Sequence, residues 1–131
     1  MIQSPQLGTG HAVICAMKKL RGFSGDVLIL SGDVPLITSS TIKALFKIHA
    51  KQGNEKPVIS FVSVILKDPD GYGRVVRDAE ARVKSIVEHK DLKPSHKVTP
   101  FYKGGSGGIK DIIEVNTGIY LVNAGFLSKN L

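Results

Sequence analysis

Asp33 is the residue in this sequence whose type and position most clearly suggest chemistry. It follows an apolar run, residues 27–30, whose length suits a strand buried on both faces. Pro35 cannot donate a hydrogen bond to a neighbouring strand, so it marks the point where the chain leaves the sheet. Ligands of open α/β sheets bind beyond the carboxyl ends of the strands, and Gly32 lets a ligand approach the backbone there. Asp33 is therefore a candidate ligand for a divalent metal and its phosphate substrate, or else simply the cap of a turn.

A second candidate site is the glycine turn formed by Gly8, Thr9 and Gly10. Thr9 or His11 is predicted to open a helix over residues 12–20, in which apolar residues recur at helical spacing. Backbone N–H groups at such a helix N-terminus suit an anion or the edge of a base. The same glycines also occur in turns for purely geometric reasons, so the motif alone leaves both interpretations open.

The composition restricts the class of protein. A chain of 131 residues is long enough for one small domain, and 42% hydrophobic residues fit a soluble globular α/β protein. No apolar run is long enough to span a bilayer, and no signal peptide is evident at the N-terminus. A single cysteine, Cys15, cannot form an internal disulfide framework and fits a reducing, cytoplasmic compartment. We expect Cys15 to be a small buried hydrophobic residue.

The net charge of +7 raises the question of nucleic-acid binding. The basic residues are scattered, aromatic residues make up only 6% of the chain, and no segment interleaves the two. We therefore expect no nucleic-acid partner. A basic surface that attracts a phosphorylated small molecule accounts for the charge equally well.

The order of predicted elements indicates the fold class. Thr38 or Ser39 is expected to cap a second helix that ends near His49, with Ile42, Leu45, Phe46 and Ile48 on its apolar side. Residues 57–66 are β-branched and apolar and predict another buried strand. Alternating helices and strands imply crossovers between parallel strands, with helices on both faces of a mostly parallel sheet. Residues 75–88 add a small β-hairpin.

Two later segments carry polar groups at the ends or in the middle of strands. The run Glu88-His-Lys-Asp91 follows the second hairpin strand and is most simply a solvated strand end. Asn116 interrupts an apolar strand over residues 112–122, and a buried amide there requires a protein partner or a bound hydroxyl. Residues 92–110 contain many glycines and lysines and are predicted to form a mobile surface loop.

Four landmarks occur in order along the chain: Gln3-x-x-Gln6-Leu-Gly-Thr-Gly-His-Ala12, Gly32-Asp33-Val-Pro-Leu36, Gly71-Tyr-Gly-Arg74 with Ile86-Val-Glu-His-Lys-Asp91, and Glu114-Val-Asn-Thr-Gly118. Together they resemble the uridyltransferase domain of the bacterial bifunctional N-acetylglucosamine-1-phosphate uridyltransferase/glucosamine-1-phosphate N-acetyltransferase family. The first and third landmarks are specific to that branch, whereas the second is shared more loosely among sugar nucleotidyltransferases. The resemblance extends over nearly the whole chain.

The resemblance implies a Rossmann-like nucleotidyltransferase domain that makes UDP-N-acetylglucosamine and pyrophosphate from UTP and N-acetylglucosamine 1-phosphate with Mg²⁺. It assigns three groups of residues: Gln3, Gln6, Gly8 and Thr9 to the uridine nucleotide, Asp33 to magnesium, and Gly73, Glu88 and Asn116 to the amino sugar. No proton has to be removed from an anionic phosphate nucleophile. His11 is therefore interpreted as a hydrogen-bonding residue at a helix start and His89 as a packing residue at a strand end, not as general bases.

The chain also departs from the family pattern. No Gly-x-Gly-Thr-Arg-Met loop precedes Ile2, and neither the second magnesium ligand, an asparagine, nor the acetyltransferase β-helix follows Leu131. We therefore expect residues 1–131 to be a partial uridyltransferase domain, incomplete at both ends, inactive alone and part of a homotrimeric parent. The alternatives are another sugar-1-phosphate nucleotidyltransferase, using UTP or dTTP with glucose 1-phosphate, and a non-catalytic fragment that binds nucleotide sugars.

Overall fold

The computed structural model describes residues 3–5, 7–34, 36–50, 57–92 and 114–131. The helices and strands in this part of the chain are, in order, α1 (Thr9–Met17), β1 (Asp26–Ile29), α2 (Ser39–His49), β2 (Ile59–Ile65), β3 (Arg74–Arg77), β4 (Val83–Val87), a 3₁₀ turn (His89–Asp91), β5 (Glu114–Asn123) and α3 (Ala124–Asn130). The predicted α/β class is confirmed. The chain divides into two compact units, one of residues 1–61 and 118–131 and the other of residues 62–117.

The first unit is built around β1 and the second half of β5. These strands are antiparallel, with Asp26 opposite Asn123 and Ile29 opposite Tyr120. Its buried apolar side chains come from α2, β5 and α3: Leu45, Ile119, Leu121, Val122, Ala124 and Leu127. Thr38 caps α2 by accepting a hydrogen bond from the Thr41 N–H at 3.2 Å, which confirms one of the two predicted caps.

Helix α2 buries a histidine where the sequence favoured larger apolar residues. Of the residues expected on the apolar side, Leu45 is buried, but Phe46 and Ile48 are 43% and 58% exposed, whereas His49 is only 1% exposed. The His49 Nδ1 lies 2.9 Å from the Ser60 hydroxyl, and Nε2 lies 3.4 Å from a carboxylate oxygen of Asp26. The Ser60 contact satisfies Nδ1, whereas Nε2 makes no hydrogen bond with a described residue, so the nearby Asp26 carboxylate compensates its burial only through its charge.

The second unit contains the predicted hairpin. Strands β3 and β4 are antiparallel, with Arg74 opposite Val87 and a register shift between Val76 and Arg77. Arg74 also lies opposite Val115, so β3 pairs on its other side with the first half of β5, again antiparallel. Among the described residues of this unit, the buried apolar ones are Val75, Val76 and Val115.

The predicted mostly parallel sheet is not confirmed. The β1–β5, β3–β4 and β3–β5 pairings are all antiparallel, and β2 also pairs with β5. The helix–strand alternation early in the chain predicts crossovers between successive strands, but it carries no information on the direction of a strand that enters after a hairpin. The distribution of helices over the two sheet faces stays a prediction.

Two further expectations concern the chain as a whole. Apart from Leu92, the segment predicted to be a surface loop lies outside the described residues, as do Gln6 and Pro35. Among the residues that are described, none of the helices combines the length and the apolar character needed to cross a membrane.

Candidate functional site

Asp33 lies in a turn just beyond the end of β1. The Val34 N–H donates to the Ser31 carbonyl at 3.4 Å, which closes the turn around Gly32 and Asp33. The Asp33 side chain is exposed and makes no hydrogen bond or ion pair with another described residue. The alternative role, a side chain that caps the turn, therefore has no supporting hydrogen bond within the described part of the chain.

The backbone of β5 comes close to this turn at Gly118. Gly118 has φ +76°, and a Cβ placed on it would lie 3.0 Å from Cβ of Ser31. Both the positive φ and the close approach favour glycine at this position. Gly118 thus lies against Ser31, the first residue of the turn that carries Asp33.

The Asp33 carboxylate is the oxygen donor that this turn offers to a magnesium ion. Within the described ranges, no three His, Cys, Asp or Glu side chains cluster as a metal site would require. Mg²⁺ retains several waters and is commonly held by one or two carboxylates together with substrate phosphates, not by a closed protein cage. An exposed Asp33 carboxylate without a protein partner in the described residues fits that kind of binding.

Helix α1 begins directly after Gly8. Gly8 has φ 96° and ψ −178°, a backbone region open essentially to glycine alone, and its carbonyl accepts the first helical hydrogen bond from Ala12 at 3.2 Å. Thr9 is the first helical residue, which confirms one of the two predicted starts. Gly10 was expected in the turn but lies inside α1. Gly8 makes the sharp turn into the helix, and, as at any helix start, the first-turn N–H groups of this nine-residue helix have no intrahelical partners.

Gln3 is tied to this helix start through its amide nitrogen. Nε2 donates to the Gly8 carbonyl at 2.9 Å and lies 3.0 Å from Nδ1 of His11. The other ring nitrogen of His11 lies 3.7 Å from Sγ of Cys15, one helical turn further along α1. His11 therefore hydrogen-bonds at the start of the helix, as expected.

Gly73, Glu88 and Asn116 are close to one another in the second unit. The Asn116 N–H donates to the Gly73 carbonyl at 2.9 Å. A Cβ placed on Gly73 would lie 3.5 Å from Oε2 of Glu88, at ordinary van der Waals distance. Gly73 is buried, whereas Glu88 is exposed just before the 3₁₀ turn. Glu88 and Asn116, which are distant from Gly73 in sequence, thus both lie close to the Gly73 backbone.

Arg74 and His89 hold the loop that leads into Gly73. Arg74 is only 6% exposed, and its Nη1 donates to the carbonyls of Pro69 and Tyr72. From the other side, Nδ1 of His89 accepts a hydrogen bond from the Gly71 N–H at 3.3 Å. His89 is exposed and hydrogen-bonds to the loop; the packing role expected for it stays a prediction.

The importance of Arg74 was not inferred from the sequence. The available signal was a charged residue between Gly73 and two valines, at the start of a strand that pairs on both sides. A cation in such a place needs acceptors, and neighbouring backbone carbonyls are the nearest ones.

The predicted site residues divide between the two units. Gln3, Gly8, Thr9 and Asp33 belong to the first unit, and Gly73, Glu88 and Asn116 belong to the second. In the first unit Gln3 contacts Gly8, but no hydrogen bond in the described ranges links Asp33 to either residue. Gln6 lies outside the described residues.

Comparison with known proteins gives a consistent result. The family model described as Nucleotidyl transferase matches residues 1–131. The chain is 43% identical over 127 residues to the Bifunctional protein GlmU of Geotalea uraniireducens, a match that covers 97% of the chain and 24% of that relative. It is 42% identical over 130 residues to the protein of the same name from Pelobacter propionicus, covering 99% of the chain and 25% of the relative.

A third relative gives a similar match. The Bifunctional protein GlmU of Corynebacterium glutamicum is 40% identical over 131 residues, covering 99% of the chain and 24% of the relative. The chain therefore spans about a quarter of the length of the curated relatives it matches.

Proposed function

Because this chain belongs to the nucleotidyl transferase family, we propose that it is a segment of an enzyme that transfers a uridylyl group to N-acetylglucosamine 1-phosphate. The products are UDP-N-acetylglucosamine and pyrophosphate. The observation that supports this proposal most directly is the proximity of Gly73, Glu88 and Asn116, which the resemblance assigns to the amino sugar. Gly73 brings backbone without a side chain close to Glu88, whose exposed carboxylate can accept hydrogen bonds from sugar hydroxyl groups.

The proposed reaction is an in-line displacement at the α-phosphorus of UTP. A phosphate oxygen of the sugar phosphate forms the new P–O bond, and the bond to pyrophosphate breaks with its electron pair remaining on the leaving oxygen. The nucleophile is already an anion, so neither His11 nor His89 has to accept a proton. Positioning and charge neutralisation therefore supply the catalysis, as is general for phosphoryl transfer.

Each predicted residue has a role in this proposal. Gln3, Gln6, Gly8 and Thr9 bind the uridine, Asp33 binds Mg²⁺, and Gly73, Glu88 and Asn116 bind the N-acetylglucosamine group. Mg²⁺, when bound, neutralises the developing phosphate charge. The exposed Asp33 carboxylate supplies one of its oxygen ligands at the end of β1. A nucleotide substrate and a single cysteine fit a cytoplasmic enzyme.

The proposal is tested by replacing the matching segment of the Geotalea uraniireducens relative with residues 1–131 and assaying the chimera. UTP is supplied with either N-acetylglucosamine 1-phosphate or glucose 1-phosphate, and the unaltered relative is the control. We expect product mainly from N-acetylglucosamine 1-phosphate. A chimera that folds but prefers glucose 1-phosphate would contradict the proposed substrate.

A second measurement addresses the chain by itself. Isothermal titration of the 131-residue chain with UDP-N-acetylglucosamine distinguishes binding without turnover from no binding. A folded chimera that makes no product from either sugar, together with a chain that binds the nucleotide sugar, would favour a non-catalytic binding role instead.

A further inference from the structure

The Gln3 amide has a defined orientation before any ligand binds. We propose that His11 is a positioning residue that holds Nε2 of Gln3, so that only Oε1 faces a ligand and selects a base with an N–H donor. The proposal rests on the proposed function in one respect, namely that Gln3 contacts the nucleotide base. The donor and acceptor pattern itself comes from contacts within the first unit.

The Gly8 carbonyl identifies which atom of the Gln3 side-chain amide is the nitrogen and which is the oxygen. A carbonyl oxygen can only accept, so the Gln3 atom that lies 2.9 Å from it must be the nitrogen. An amide nitrogen carries two hydrogens, and its second neighbour is Nδ1 of His11 at 3.0 Å. Nδ1 must therefore be the unprotonated nitrogen of the ring, because two N–H groups cannot hydrogen-bond to each other.

The tautomer of His11 follows from this arrangement. With Nδ1 accepting, a neutral imidazole carries its proton on Nε2. Nε2 lies 3.7 Å from Sγ of Cys15, a weak acceptor one turn along α1. Gln3, His11 and Cys15 thus form a short chain of hydrogen bonds with one direction, running from the amide nitrogen to the sulfur.

The side-chain oxygen of Gln3, Oε1, is the atom available for recognising a nucleotide base. Both N–H groups of the amide are used, and Oε1 makes no hydrogen bond within the described part of the chain. An oxygen can only accept, so the favourable base is one with an imide N–H, such as uracil at N3. Cytosine has an acceptor at N3, which would face Oε1 as a second acceptor. We expect a preference for uridine over cytidine nucleotides of about tenfold or more, on the scale of one unmatched hydrogen bond.

The first test needs no ligand. Long-range ¹H–¹⁵N correlation spectra of the 131-residue chain report which ring nitrogen of His11 carries the proton. We expect the Nε2–H tautomer, together with slowed solvent exchange of the Gln3 side-chain NH₂ group. A His11 ring protonated at Nδ1 would overturn the proposal whether or not the chain binds nucleotides.

The second test uses two substitutions of His11 that differ in one acceptor. His11→Asn retains an oxygen near the position of Nδ1, whereas His11→Phe places a C–H there. Titration with UTP and CTP should show the wild-type preference retained in His11→Asn and reduced to about threefold or less in His11→Phe. Thermal unfolding monitored by circular dichroism verifies that both variants fold.

The outcomes separate this inference from the proposed function. If folded His11→Phe keeps the full preference for UTP, the positioning role is wrong although uridine binding stands. If the wild-type chain binds neither nucleotide, the base-binding role of Gln3 is wrong, and the tautomer measurement still decides the role of His11.

Discussion

The Arg77 guanidinium donates two hydrogen bonds to the Glu114 carboxylate, from Nη2 at 2.7 Å and from Nε at 2.8 Å. The Ser63 hydroxyl donates a third at 2.6 Å. These three groups come from β3, β5 and β2. The hydrogen bonds from Arg77, foremost, and from Ser63 hold the pKa of Glu114 below its ordinary value of 4.5, although partial burial opposes the shift.

Stability is expected to depend on pH through Glu114. Its pKa is lower in the folded than in the unfolded chain, so its contribution is complete above the unfolded pKa and is lost as the pH falls through the folded pKa. Urea unfolding from neutral pH down to about pH 3 should show this loss begin below about pH 4.5. Glu114→Gln should reduce the acid dependence and cost about 1 kcal/mol at neutral pH, because the pair is partly solvated. An unchanged acid profile in Glu114→Gln would contradict this assignment.

Gly118→Ala is expected to destabilise the chain by about 1–2 kcal/mol, because alanine is strained at positive φ. The added Cβ would also lie 3.0 Å from Cβ of Ser31, an additional cost. Ser31→Gly removes that contact but not the strain, so the double variant should recover only part of the loss in urea unfolding. Gly32→Ala is the matched control: its Cβ would meet nothing within 4 Å, and its stability should change by less than about 0.5 kcal/mol.

Gly8→Ala and Gly10→Ala should have opposite effects although they are two residues apart. Gly8 adopts φ 96° and ψ −178°, which alanine avoids, so the substitution should cost about 1–3 kcal/mol and weaken uridine nucleotide binding. Gly10 is helical and has open space, so alanine there should stabilise α1 by about 0.5–1 kcal/mol. Thermal unfolding and UTP titration measure both effects. Equal destabilisation by the two substitutions would show that the backbone conformation of Gly8 does not specifically require glycine.

Gly73→Ala should separate binding from stability. Its Cβ would contact Glu88, Ile86 and Val87 only at 3.5–3.6 Å, so the fold should tolerate it within about 1 kcal/mol. The methyl group would occupy space beside the Glu88 carboxylate, where the proposal places the sugar. Titration should show weaker binding of UDP-N-acetylglucosamine, by about tenfold, with UMP binding unchanged. Unchanged binding of both ligands would remove Gly73 from the proposed sugar site.

Asp33→Ala in the chimeric enzyme should lower turnover by about a hundredfold or more, because one ligand of the magnesium nucleotide is lost. Stability should change little, since the side chain is exposed. Glu80→Gln, another exposed carboxylate, is the control and should retain full turnover. Near-normal turnover of Asp33→Ala at saturating magnesium would refute the role of Asp33.

Several features of the fold could be predicted from the sequence because they depend on neighbouring residues. Thr38 as the cap of α2, the start of α1 at Thr9 and the β3–β4 hairpin each follow from local capping or strand patterns. The position of Asp33 in a turn beyond an apolar strand was predictable for the same reason.

The burial of His49 shows where such reasoning fails. Helical periodicity assigned Ile42, Leu45, Phe46 and Ile48 to the apolar side. Leu45 is buried as expected, but Phe46 and Ile48 are exposed, and the second buried residue is His49, whose ring nitrogens lie near Ser60 and Asp26. Neither neighbour is on α2. A polar side chain becomes favourable in an interior only when distant segments bring partners to it, and spacing within one helix does not contain that information.

The sequence by itself determined the class of the elements, the turns that glycine and proline impose, and the four motifs that carry the resemblance. Only the tertiary structure decided the antiparallel pairing of β5, the contact of Gly118 with Ser31, and the binding of Gln3 to His11. The physical reason is the separation along the chain of the groups that interact. Caps and turns are made by neighbouring residues, whereas strand direction and amide orientation depend on groups that only the folded chain brings into contact.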